Sequence, residues 1–288
     1  MKKILVPTDL TPTAELGLQL AVTIAERCGA SISLVNFVKH PIGKSFSATG
    51  DVSMKDDEQD VLYTLQLLHS NEAKLNEYIR QYGSESVHIQ ASIVDDDLKD
   101  GIDEYLKKEE IDLIVMGTSG EENGGEVFTG NHTEQVIKIS SCPVLSVRDG
   151  FHLDHLKNMV VGVDVITGGQ VALGLKNLKK LADCFDAHVH LVHVISKPTE
   201  NPVLLHQYFN TVSAAAGLNE YSVHILEADD EVTRVVEYAR SVRAGLIAVL
   251  KNSKHGIFSI FSHHFSDRVV KEVGRPVYTL NMQQIEAS

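Results

Sequence analysis

Gly117 and Gly120, two residues between them, are followed after nine further residues by Gly130 and Asn131. This spacing suits a backbone that runs against phosphate oxygens. Glycine lets the chain approach closely and take positive φ, so successive N–H groups can point inward. Asn131-His132-Thr133-Glu134 then reads as a helix start, with Asn131 as the cap and Glu134 placed to reach back. A helix N-terminus adds partial positive charge at the same place. Asp9, closing the apolar run Ile4-Leu5-Val6, offers a carboxylate that can accept hydrogen bonds from a ribose or a base edge. A glycine-rich connection after a strand is also a common flexible loop, so the glycines alone leave both readings open.

The elements that must position these residues emerge when the chain is compared with itself. Ile4-Leu5-Val6-Pro7-Thr8-Asp9 matches Met159-Val160-Val161-Gly162-Val163-Asp164. The blocks beginning at Ala30, Ile111 and Cys142 recur, in the same order, at Ala187, Ala244 and Arg275. The chain is therefore expected to hold two domains, residues 1–149 and 157–288, joined by a short linker. Each copy alternates short apolar strands with helical patterns, such as Leu16, Leu20, Ile24 and Ala25 in the first. Gly29 and Gly83 stand just past two helix ends, where glycine takes the left-handed conformation cheaply. Parallel strands need crossover connections, so the pattern predicts an α/β fold. Each copy is read as a five-stranded parallel sheet with helices on both faces. Such sheets take ligands beyond the carboxyl ends of their strands, where strand order reverses.

Composition narrows the partners. A net charge of −13 repels phosphate backbones and anionic lipid, which argues against nucleic acid and membrane surfaces. The opening apolar run stops at Pro7, too short for a signal-peptide core, and no stretch approaches the roughly 18 apolar residues of a membrane helix. Cys28, Cys142 and Cys184 are few, odd in number and outside any CxxC pair; the expectation is buried, reduced thiols in a cytoplasmic protein.

The strand ending in Asp9, the run Asp112-Leu113-Ile114-Val115-Met116-Gly117, the spaced glycines and Ser141-Cys142-Pro143-Val144-Leu145 together resemble the universal stress protein family, once per copy. The resemblance implies a Rossmann-like fold of the adenine nucleotide alpha hydrolase type. It also implies a site for ATP or a related adenine nucleotide, with or without Mg. By position, Pro7, Thr8, Asp9, Phe37, Met116, Gly117, Gly120, Gly130, Asn131, His132 and Thr133 would surround that nucleotide. Adenine would lie against the first two strands and the phosphates against the glycine loop.

Particular residues depart from that pattern. Asn131 can cap a helix but lacks the family's hydroxyl, and Phe37, where a smaller aliphatic is usual, would stack on the base or block it. Glu121, Glu122 and Glu126 would repel a triphosphate unless they face solvent or a divalent cation intervenes. In the second copy Leu250, Ser253 and His263 replace the glycines, which predicts no nucleotide there although Asp164 persists. His188 and His190 share one face of a strand, but no HExxH or HxxxH pattern supports a metal site. No catalytic residue can be named. The functional expectation is a stress-response regulator that binds nucleotide in its first half, with a second half that is structural or an interaction module, and a protein partner as yet unknown. The alternatives are a nucleotide-independent interaction scaffold and, more remotely, a slow ATP hydrolase. The last strands, Val144–Val147 and Val277–Leu280, carry no lysine or internal proline to blunt an exposed edge. They are expected to pair as an internal pseudo-dimer, with a further homodimer left open.

Overall fold

Thr11 begins the first helix: its side-chain oxygen accepts the Ala14 N–H at 3.2 Å, and Pro12 follows in the first turn, where its missing N–H costs nothing. The helix ends at Cys28 because Gly29 turns left-handed, with φ 66°, and donates its N–H to Ala25. Gly83 behaves differently from the sequence expectation. Its φ is not left-handed, and a Cβ there would press on the Ile79 carbonyl oxygen at 2.6 Å.

The computed structural model describes residues 1–39, 58–118, 130–151, 156–165, 169–195, 201–251 and 275–285. The first copy runs β1 (Lys3–Pro7), α1 (Pro12–Cys28), β2 (Ser31–Phe37), α2 (Glu58–Tyr82), β3 (Ile89–Val94), α3 (Leu98–Lys108), β4 (Leu113–Gly117), α4 (Gly130–Ile139) and β5 (Val144–Val147). The second runs β6 (Asn158–Gly162), α5 (Gln170–Cys184), β7 (His188–Ile195), α6 (Pro202–Ala216), β8 (Tyr221–Glu227), α7 (Glu231–Ser241), β9 (Leu246–Lys251), β10 (Val277–Asn281) and α8 (Met282–Ile285).

These strands form one ten-stranded sheet in the order β3-β2-β1-β4-β5-β10-β9-β6-β7-β8. Pairing within each copy is parallel. At the centre β5 meets β10 antiparallel, with Ser146 opposite Val277, Leu145 opposite Tyr278 and Val144 opposite Thr279. Each unblunted edge is thus paired with the other, as the edge argument expects. The two copies are related by an approximate two-fold rotation, and their carboxyl edges point in opposite directions.

On the face covered by α1, α2, α5 and α6 the apolar core runs unbroken from Leu34 through Leu145 and Tyr278 to Leu191. On the other face it divides into one cluster under α3 and α4 and another under α7. Polar ties reinforce the junction. Lys180 on α5 reaches Asp112 at 2.8 Å, and Asp112 also takes the backbone N–H of Lys2 at 2.6 Å. Asn281 donates to the carbonyls of Ile137 and Lys138, closing the C-terminal end of α4 from across the junction.

One expectation fails outright. Cys28 and Cys184 form a disulfide that links the ends of α1 and α5, whereas Cys142 is a free, buried thiol. The cysteines are 156 residues apart in sequence, and only the docking of the two copies brings them together.

Candidate functional site

In the first copy the strand order reverses between β1 and β4, which lie side by side while their following connections leave in opposite directions. This is the place where open α/β sheets form a crevice. Pro7, Thr8 and Asp9 come to it from the end of β1; Met116, Gly117 and Thr118 come from the end of β4.

The end of β1 is fixed by side-chain hydrogen bonds. Buried Asn36 on β2 donates its Nδ2 to the Thr8 carbonyl at 2.7 Å, and Asn71 on α2 donates to the Asn36 Oδ1 at 3.0 Å. Thr8 Oγ1 accepts the N–H of Leu10, a non-glycine residue at φ 65°. Asp9 is half-buried, and its Oδ1 takes both the backbone N–H and the hydroxyl of Thr11, at 3.0 and 2.6 Å. The carboxylate therefore first shapes the turn into α1. Asn36, Asn71 and Thr11 were not singled out from sequence; Asp9-x-Thr11 ahead of Pro12 is the local signal that marks such a turn.

Gly117 plays a different part from the one its spacing suggests. A Cβ there would stand 1.7 Å from the Thr13 carbonyl oxygen, so the missing side chain makes room for α1 rather than for a phosphate. Phe37 is 6% exposed and packs edge-on against Tyr105, with its ring where a Cβ on Gly101 would fall. It belongs to the core under α3, as does Met116. Neither is an open stacking surface.

Helix α4 begins at Gly130, which sets Asn131 within the first turn instead of ahead of it. That first turn holds no acidic residue, and Thr133 in it is buried. The electrostatics of this terminus thus suit an anion. Ser119, Gly120, Glu121, Glu122 and Glu126 lie outside the described residues. The residues present fit an adenine nucleotide in part: an ordered β1 end with a half-buried carboxylate, and an uncharged helix start.

In the second copy the end of β9 carries Leu250, buried against Gly174 and Met282. The leucine fills packing space beside α5. His193 takes the place of Asn36, its Nδ1 hydrogen-bonded to the Val163 carbonyl at 2.9 Å. Ser253, His263 and His264 are outside the described residues.

His188, His190 and His224 gather beneath α7. His188 Nε2, His190 Nδ1 and His224 Nε2 stand 3.0, 3.2 and 2.8 Å from the Ser222 hydroxyl oxygen, and Tyr238 OH lies 3.0 Å from His190 Nδ1. A hydroxyl donates once and accepts twice, so these rings share one proton pattern. Burial, and then the neighbouring His188 and His224, depress His190 to about 4. Among the described residues no three His, Cys, Asp or Glu side chains are disposed to hold a metal ion.

The mostly parallel sheet, with helices on both faces and strand order reversing between β1 and β4, defines a Rossmann-like α/β protein. A family model described as the universal stress protein family matches residues 1–148. The chain belongs to that family. A universal stress protein of Methanocaldococcus jannaschii is 28% identical over 153 residues, 51% of this chain and 82% of that protein. Over nearly the whole length the fold matches a universal stress protein structure from Archaeoglobus fulgidus, with a TM-score of 0.69 at 17% identity, covering 97% of this chain and 98% of that one. A second match, from Pseudomonas aeruginosa, has a TM-score of 0.61 at 16% identity over 100% and 96% of the two chains. No helix among the described residues is long and apolar enough to cross a membrane.

Proposed function

We propose that this chain is a stress-response regulatory protein whose first domain, residues 1–149, binds ATP or a related adenine nucleotide. The second domain, residues 157–288, serves as a structural or interaction half. One observation carries the reading: Thr8 and Asp9 follow β1, which lies beside β4 at the strand-order reversal, and the helix that follows the spaced glycines starts with no acidic residue in its first turn. Family membership supports it. Asp9 would accept from the ribose or base, and the backbone from Gly120 to Thr133 would face the phosphates, with Mg between them and the glutamates of that loop. The nucleotide would supply charge and shape for recognition; the chain's own residues orient it and are given no bond-breaking role. A cytoplasmic location goes with this reading.

Titration calorimetry with a non-hydrolysable ATP analogue and magnesium tests it. One site per chain is expected, abolished by Gly120→Val, which places a side chain in the phosphate path. No heat with any adenine nucleotide would leave the interaction scaffold as the better account, and two equal sites would refute the asymmetry between the halves.

A further inference from the structure

Helix α1 ends at Cys28 and helix α5 at Cys184, and the two belong to corresponding helices of the two copies. The approximate two-fold relation brings these ends together, with a Cα–Cα separation of 5.2 Å. That lies inside the span a disulfide bridges without backbone movement, about 4.4–6.8 Å. Both cysteines are partly exposed, and Cys184 Sγ also contacts the Lys180 carbonyl at 3.1 Å on the surface. Cys142 is the contrast: burial pushes its thiol up to about 12, so it is chemically quiet.

This bond is one of several ties at the junction. The β5–β10 ladder, the Lys180–Asp112 pair and the Asn281 contacts to α4 also join the copies. A covalent tie that is reachable by solvent and placed on an interface already held by other contacts can open and close without unfolding the protein. Exposed disulfides of this kind are the labile ones, and in a reducing compartment they act as redox sensors more often than as permanent staples.

We propose that Cys28 and Cys184 are a redox modification site that couples the two copies, its co-substrate a low-molecular-weight disulfide of the glutathione class. One cysteine thiolate attacks a sulfur of the small disulfide, forming a mixed disulfide and releasing one small thiolate. The second cysteine thiolate then attacks the protein sulfur of that mixed disulfide and releases the other. Two protein thiols lose two electrons and two protons, and the small disulfide becomes two thiols. Closing so long a loop restricts the unfolded chain most, so oxidation should raise thermal stability.

The full-length protein is incubated with dithiothreitol or with oxidised glutathione, its thiols are blocked, and it is examined by intact mass and peptide mapping. Expected are three free thiols when reduced and one, Cys142, when oxidised, with Cys28 joined to Cys184 and no glutathione retained. The oxidised form should melt on the order of 5–10 °C higher. Cys28→Ser and Cys184→Ser should each remove that difference, whereas Cys142→Ala should keep it. Three free thiols after oxidation, stable glutathione adducts, or a bond that withstands dithiothreitol in the folded protein would each overturn the proposal.

Discussion

Gly117 and Thr13 touch backbone to backbone: a Cβ on the glycine would stand 1.7 Å from the threonine carbonyl oxygen. The contact continues through Gly17, whose own Cβ would fall 2.7 Å from the Gly117 nitrogen. Two glycines thus let α1 lie directly on the end of β4. The second copy meets the same demand another way. Gly174, in the matching Leu-Gly-Leu of α5, faces the side chain of Leu250, which occupies the gap. A backbone contact in one half is a side-chain contact in the other.

Gly117→Ala should therefore be costly, because the clash is with backbone and only a shift of α1 relieves it. Overpacking of this sort costs about 1–3 kcal/mol, and this site lies at the upper end. Gly174→Ala meets only the tips of Leu250 and Met282, at 2.9 and 3.0 Å, and should cost less. Adding Leu250→Ala should recover part of that cost, a non-additivity that denaturant unfolding of the single and double variants can read. Equal losses at the two glycines would contradict this account.

Asp9 separates structure from binding. Its Oδ1 holds Thr11 N–H and hydroxyl, a role an asparagine oxygen can keep. Asp9→Asn should leave stability within about 0.5 kcal/mol while weakening adenine nucleotide binding, whereas Asp9→Ala should also lose about 1 kcal/mol of turn and cap stabilisation. Melting curves beside titration calorimetry distinguish these outcomes. An Asp9→Asn variant that binds like the parent would remove Asp9 from the site.

The repeat, the parallel sheets and the pairing of Val144–Val147 with Val277–Leu280 were legible because they follow from periodicity and from unpaired edges, both local properties. The role of Gly117 was not. Spacing marks glycine as a place of close approach but does not say what approaches, and here it is α1. Phe37 was ambiguous for the same reason; only the packing of Gly101 and Tyr105 shows which face of the sheet it occupies. The Cys28–Cys184 pair lay beyond local reasoning altogether, since it depends on how the two copies dock. Gly120 and its acidic loop remain expectations drawn from sequence.

Tyr278 sits opposite Leu145 at the centre of the sheet, fully buried, and its hydroxyl has no hydrogen-bond partner among the described residues. Burial drives its ionisation well above the ordinary tyrosine range. An unpartnered buried hydroxyl costs desolvation energy and returns nothing. Tyr278→Phe should be neutral or stabilising by up to about 1–2 kcal/mol, while Tyr278→Ala should cost about 3–5 kcal/mol through the cavity left at the junction. A large loss on Tyr278→Phe in denaturant unfolding would reveal a partner for that oxygen.

Acid should weaken the second half through His190. Its ring is packed among His188, His224 and Tyr238, and its Nε2 is buried without a partner among the described residues. A protonated imidazole needs acceptors at both nitrogens, and here burial and two neighbouring histidines oppose the charge. The folded protein therefore holds His190 near 4, against 6.5 for an ordinary histidine. Above about pH 6.5 both states are neutral at this residue and stability is unaffected. Below it the unfolded chain takes up a proton that the folded one refuses, so stability falls progressively from pH 6.5 toward 4 and levels off beneath. His224, shifted down by burial and then by His188 and His206, adds to the same trend. His190→Asn, whose amide stands where Nδ1 does, should flatten the melting-temperature profile across that window while preserving the bond to Tyr238. A variant whose profile parallels the parent from pH 6.5 to 4 would show that the acid sensitivity arises elsewhere.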